Sequence, residues 1–176
     1  SNNDTIGYWG DRSGNDNYAA VYQAATNREP KYKASGFNGM PTLEFDGSKD
    51  MLDVQNADSF DKWDDLSIFI VFKGRPLGNN DVLASKNGED GQGWMFRKRG
   101  GDNNKLQTVF RGTTAGDGKD TPGPNNSEAI AAMLFGGGLR QSFFNGSLAS
   151  SDTDSGTIAS APLSPVCIGG KVRNNG

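Results

Sequence analysis

Residues 9–17 read W-G-D-R-S-G-N-D-N and residues 41–52 read P-T-L-E-F-D-G-S-K-D-M-L. Both set Gly, Asp, Asn and Ser clusters beside short apolar stretches, the way antiparallel strands with tight turns are written. Glycine supplies positive φ at no steric cost, and Asp, Asn and Ser fold their own side chains back onto nearby backbone. The same punctuation recurs at positions 87–91, 100–104, 136–138 and 145–146, in a chain with 25 glycines among 176 residues. The stretch from Trp9 to Leu52 therefore predicts a β-sandwich that presents loops and a flat face.

The length suits one domain, residues 1–176, and is enough to bury a core without disulfide staples. A net charge of −3 and a pI near 4.9 argue against nucleic acid, whose phosphates call for clustered positive charge. No apolar run has the length to span a bilayer, so no membrane insertion is expected. Cys167 is the single cysteine, and within P-V-C-I-G it reads as a small buried hydrophobe. The chain has no histidine. That excludes a Ser-His-Asp or Cys-His nucleophile, an imidazole proton shuttle and the usual zinc sites within these residues.

Strands are expected over residues 42–45, 51–54, 66–73, 81–85, 94–99, 106–111, 129–135, 140–145 and 166–172. Residues 66–73, L-S-I-F-I-V-F-K, are apolar on both alternations and read as a central strand covered on each side. One helical turn fits residues 58–63. Residues 112–127, rich in Gly, Asp, Pro and Asn, read as a long loop that is either functional or mobile.

W-G-D-R-S-G-N-D-N at 9–17, with N-G-M-P-T-L-E-F-D-G-S-K-D-M-L at 38–52, resembles the laminin G-like, concanavalin A-like jelly-roll superfamily. D-L-S-I-F-I-V-F-K at 65–73, R-Q-S-F-F-N-G-S-L at 140–148 and V-C-I-G-G-K at 166–171 agree with it. The resemblance spans nearly the whole chain and implies an all-β, antiparallel two-sheet sandwich. It leaves function open, because lectins, adhesion modules and polysaccharide-degrading enzymes share the fold. Family members usually continue past the I-G-G strand with a further strand that completes a sheet. Here the sequence stops at Gly176, so either the last strand is missing or it lies elsewhere.

Several residue sets are candidates for chemistry. Asp11, Asp16 and Asp46, with Asn15 and Asp50, are oxygen donors in turns and suit a structural calcium ion, which some relatives bind. The competing reading is that they cap their own turns. The E-x-D-x-x-E strand of related β-glucanases is absent, and Glu44 and Asp46 sit in the scaffold turn. Trp9 belongs to the scaffold motif, Trp63 is expected to plug the sandwich, and Trp94 is a candidate for stacking on a sugar. Tyr8, Tyr18, Tyr22 and Tyr32 cluster in a polar region where exposure is expected. Alternation places Arg97 and Arg99 on one strand face, with Arg111 beside them if Phe96 and Phe110 face the core. With Lys86 they would bind carboxylates or sulfates bidentately, against a competing reading as a solvated face.

These features predict a non-catalytic carbohydrate-binding module of an exported bacterial protein, acting on a polysaccharide or other glycan, with an anionic polymer favoured. Its partners would be that glycan and the other domains of a larger secreted or cell-surface protein. A structural or adhesion domain of a surface protein is the main alternative, and a polysaccharide-degrading enzyme the weaker one.

Overall fold

The computed structural model describes residues 1–21, 27–54, 60, 65–74, 81–87, 93–98, 105–111, 118–123, 127–153 and 164–170, with the backbone alone for Asn87 and Arg111. Within them lie fourteen strands. They are β1 (Tyr8–Trp9), β2 (Ala19–Val21), β3 (Lys31–Phe37), β4 (Met40–Glu44), β5 (Leu52–Val54), β6 (Leu66–Lys73) and β7 (Val82–Asn87). Then come β8 (Gly93–Lys98), β9 (Lys105–Arg111), β10 (Lys119–Pro122), β11 (Glu128–Gly136), β12 (Leu139–Phe144), β13 (Ser147–Thr153) and β14 (Val166–Ile168).

Every strand pairing is antiparallel. An eight-stranded sheet runs β1-β2-β5-β14-β7-β8-β9-β10, a four-stranded sheet runs β13-β12-β11-β6, and β3 and β4 form a separate hairpin. The expected hairpin at residues 145–146 joins β12 to β13. Both its residues have positive φ, 49° at Asn145 and 79° at Gly146, as a tight two-residue turn between twisted strands requires.

The core lies between the two sheets. The large sheet contributes Leu52, Val54, Ala84, Trp94, Phe96, Leu106, Phe110 and Val166, and the small sheet Ala131, Met133 and Phe135 with Ile68, Ile70 and Phe72. The rings of Phe110 and Phe135 meet across the sandwich at 5.6 Å between centroids. Beside them, the Thr108 and Ser142 hydroxyls share a buried 2.5 Å hydrogen bond from sheet to sheet. That bond lets two polar side chains face the core without an unmet donor or acceptor.

The remote face of the large sheet is closed as well. Asp53, Ser85, Met95, Gln107, Val109 and Cys167 are all buried there. The outer face of the small sheet is open, and on it Phe69, Val71, Ile130 and Leu148 are each at least half exposed.

Three expectations are corrected. β6 is the last strand of its sheet among the described residues and alternates between half-buried and exposed positions, so it is neither central nor covered on both sides. Its polar Ser67 and Lys73 share the outward alternation with Phe69 and Val71. Residues 112–127 are not one long loop, because β10 forms within them and pairs with β9. Strands β1, β2, β3 and β13 were not expected, being short or rich in polar residues. The helical turn expected at 58–63 and Trp63 lie outside the described residues, Phe60 excepted. Among those described, no helix is long and apolar enough to cross a membrane.

Candidate functional site

The structure does not bring the expected binding residues together. Trp94 is 4% exposed and lies on the core face with Phe96. Lys86 is as deeply buried, on the same face through its pairing with Trp94, and its Nζ donates to the Ser164 carbonyl at 2.7 Å. Burial withdraws both from a polymer lying on the surface, which corrects their assignment as binding residues. The alternation rule explains it: Trp94 and Phe96 share parity, and so do Ala84 and Lys86.

Arg97 lies on the opposite face, and its Nε donates to Gln107 Oε1 at 2.7 Å. Gln107 Nε2 in turn donates to Asp120 Oδ1 at 3.2 Å. The result is a polar ladder across β8, β9 and β10 that occupies one edge of the Arg97 guanidinium. Arg111 pairs with Gly93 through the backbone. Its side chain and the whole of Arg99 lie outside the described residues. Nearby, Lys119 Nζ and Arg140 Nη2 both contact Asp152 Oδ2, at 2.8 and 2.9 Å. Hydrogen bonds from Lys119 and then Arg140 hold the Asp152 carboxyl below the ordinary aspartate range.

The carboxylates expected to hold calcium are committed to their own turns. Asp11 Oδ1 accepts from the Ser13 amide at 2.7 Å, and its Oδ2 accepts from the Ser13 hydroxyl at 2.6 Å and the Asn17 amide at 3.0 Å. Asp46 Oδ1 accepts from the amides of Ser48, Lys49 and Asp50, at 2.7, 2.8 and 3.0 Å. Asp16 sits in the left-handed region at φ 57°. Among the described residues no three Asp, Glu, Cys or His side chains converge on a point where a metal could sit. Calcium takes six to eight oxygens, and among the described residues these carboxylates do not gather to supply them. Glu44 forms a 2.8 Å ion pair with Lys33, so it is not poised opposite Asp46 as an acid–base pair.

The turn carboxylates set an acid limit. The Ser13 hydroxyl, then the Ser13 and Asn17 amides, bring the Asp11 pKa from an ordinary 3.8 down to about 2. Asp46 is also lowered: burial raises it, but the Asp50, Lys49 and Ser48 amides outweigh that. A depressed carboxyl stabilises the fold fully above its unfolded pKa, and the contribution disappears as pH falls through the folded value. Thermal stability should therefore drop between about pH 4 and pH 2, and Asp11→Asn should flatten part of that drop in a pH series of melting temperatures.

The exposed aromatic surface lies elsewhere, at the β1 edge of the large sheet. Tyr8 is 58% and Trp9 50% exposed; Tyr18 is exposed beside Tyr8 on one face of the edge, and Trp9 points to the other face. Tyr8 pairs with Ala20 and Trp9 with Ala19. The Tyr8 and Tyr18 rings lie 5.0 Å apart between centroids at 35°. The Asp11 turn follows directly and carries Arg12, which is exposed. Aromatic faces with polar rims can take the C–H face of a sugar ring while the phenol and indole groups bond its hydroxyls. Sequence reasoning assigned Trp9 to the scaffold because it sits in the W-G-D motif. The usable signal was the tyrosine cluster in a polar region.

No protein-family model matches the chain, and no curated protein matches it. Among solved structures, domains LG4-5 of the mouse laminin alpha1 chain superpose with a TM-score of 0.53 at 11% identity, covering 72% of this chain and 32% of the laminin chain. This chain thus spans about a third of the laminin fragment's length. The CBM40 of the Ruminococcus gnavus IT-sialidase, bound to alpha2,3 sialyllactose, superposes with a TM-score of 0.49 at 16% identity, covering 66% of this chain and 69% of that one. With the antiparallel two-sheet topology, the laminin likeness establishes the fold as a laminin G-like β-sandwich jelly roll.

Proposed function

We propose that this domain is a non-catalytic carbohydrate-binding module of an exported protein, and that it holds its glycan at the Tyr8–Trp9–Tyr18 edge. The observation that carries the reading is the exposed Tyr8–Tyr18 ring pair on one face of the β1 edge, with Trp9 exposed on the other face of the same strand. Adjoining exposed aromatic surface of this kind marks a surface for contact with a ligand. The finer part of the proposal, an anionic polysaccharide, rests on Arg12, exposed three positions after Trp9. A guanidinium there would pair with a carboxylate or sulfate on the polymer while the rings take its apolar face. The adhesion reading draws on the open apolar face of the small sheet, which no sugar contact explains.

A glycan array followed by titration calorimetry tests the proposal. Trp9→Ala and Tyr8→Ala should each weaken binding about tenfold or more, as loss of a central aromatic contact does. Arg12→Ala should weaken carboxylated or sulfated glycans and reduce the salt dependence, leaving any neutral glycan untouched. Absence of binding across the array would overturn the reading in favour of an adhesion domain.

A further inference from the structure

We propose that the outer face of the four-stranded sheet is a self-association surface, on which two copies of this chain pack sheet on sheet about a two-fold axis running across the strands. The proposal is independent of the glycan reading, whose residues lie on the other sheet.

Register lines the face up in rows. The central row is Phe69–Ala132–Phe143–Leu148, read across β6, β11, β12 and β13. To one side lie Val71 and Ile130, then the pair Lys73 and Glu128. To the other lie Ser67, Leu134, Gln141 and Ser151, with Asp65 two residues before Ser67. The two ends differ in shape. Val71 and Ile130 protrude into solvent at one end, whereas Asp65, Ser67, Leu134, Leu139 and Gln141 line a shallow depression of about 330 Å³ at the other.

A two-fold axis along the central row exchanges the ends. It lays Val71 and Ile130 of one copy into the depression of the other and brings Phe69 against its own symmetry mate. It also sets Lys73 over the partner's Asp65, twice. Both residues are exposed, and neither has an ion pair among the described residues. Knob faces hole and cation faces anion under one operation, which is the self-complementarity an isologous interface requires. Four strands about 4.8 Å apart and roughly 26 Å long give a footprint of about 500 Å². That is smaller than the ~800 Å² per partner of a standard interface, which places the dimer in the weak, reversible class.

Sedimentation velocity on the 176-residue chain, from low micromolar to submillimolar, reads this directly. The expected result is a monomer that converts to a dimer as concentration rises. Phe69→Lys should abolish the shift with the melting temperature retained, because Phe69 is 67% exposed; Val71→Lys, on the same face, serves if that variant loses its thermal transition. Lys73→Asp should weaken the dimer about tenfold or more, because both symmetry-related ion pairs become repulsions. Combining it with Asp65→Lys should restore the dimer, a rescue that misfolding would not give. A monomer at all concentrations, a dimer indifferent to both lysine substitutions, or a double reversal that fails to recover would each overturn the proposal. Glycan binding at the Trp9 edge is measured separately, so the two proposals fail independently.

Discussion

Phe96→Ala is expected to destabilise the domain by about 3–5 kcal/mol, the range for truncating a buried aromatic. Phe96 has no exposed surface and sits in the cluster that joins both sheets. Removing its ring loses the transfer energy of the ring and leaves a cavity that the paired strands cannot collapse to fill. Equilibrium urea unfolding checks this through the midpoint at unchanged slope. Phe69→Ala is the control, since exposed substitutions away from special features usually fall within about 0.5 kcal/mol. Equal losses at the two positions would contradict the assignment of β6 and β8 to their faces.

Gly169→Ala should come close to the same size, about 2–5 kcal/mol, by adding left-handed backbone strain to overpacking. Gly169 has φ 83°, and a Cβ there would run into the Phe45 ring and lie 3.1 Å from the Asp50 carbonyl oxygen. Its amide donates to the Leu83 carbonyl at 2.8 Å, so the backbone cannot simply turn away. Phe45 packs partly buried against the core, which leaves its ring little room to yield. A thermal melt of Gly169→Ala beside Phe45→Leu/Gly169→Ala separates the two causes: the smaller side chain should recover the clash and leave the strain.

The fold was legible because turn chemistry and alternation are local. The Asn-Gly turn at 145–146 and the strands around 94–98, 106–111, 129–135 and 140–144 follow from residues within reach of one another. Strand β13, S-L-A-S-S-D-T, was not legible, since its pairing with β12 compensates a polar sequence. β6 shows the opposite failure. Its two apolar faces read as burial on both sides, but the surplus hydrophobicity at Phe69 and Val71 stays on the surface. The site was less legible because it depends on which alternation faces inward and on what lies across the strand. A one-residue choice of face separates buried Trp94 from half-buried Arg97, and only register shows that Gln107, itself bonded to Asp120, takes up Arg97. Trp9 was read as core or edge packing, and it stands on the edge strand, where a scaffold residue still meets solvent.

The order of strands in the large sheet has a kinetic consequence. β14 lies between β5 and β7 and is the only described link between the β1-β2-β5 and β7-β8-β9-β10 halves. Residues 166–168 are made after every other described strand. Until they emerge from the ribosome, the nascent sheet has a slot at its centre bordered by two naked strand edges. Such edges pair indiscriminately with other chains, and closing the slot requires contacts distant in sequence, which form slowly. The yield of correctly folded chains should therefore depend on how fast Val166, Cys167 and Ile168 reach the slot, and dilution should favour it over aggregation.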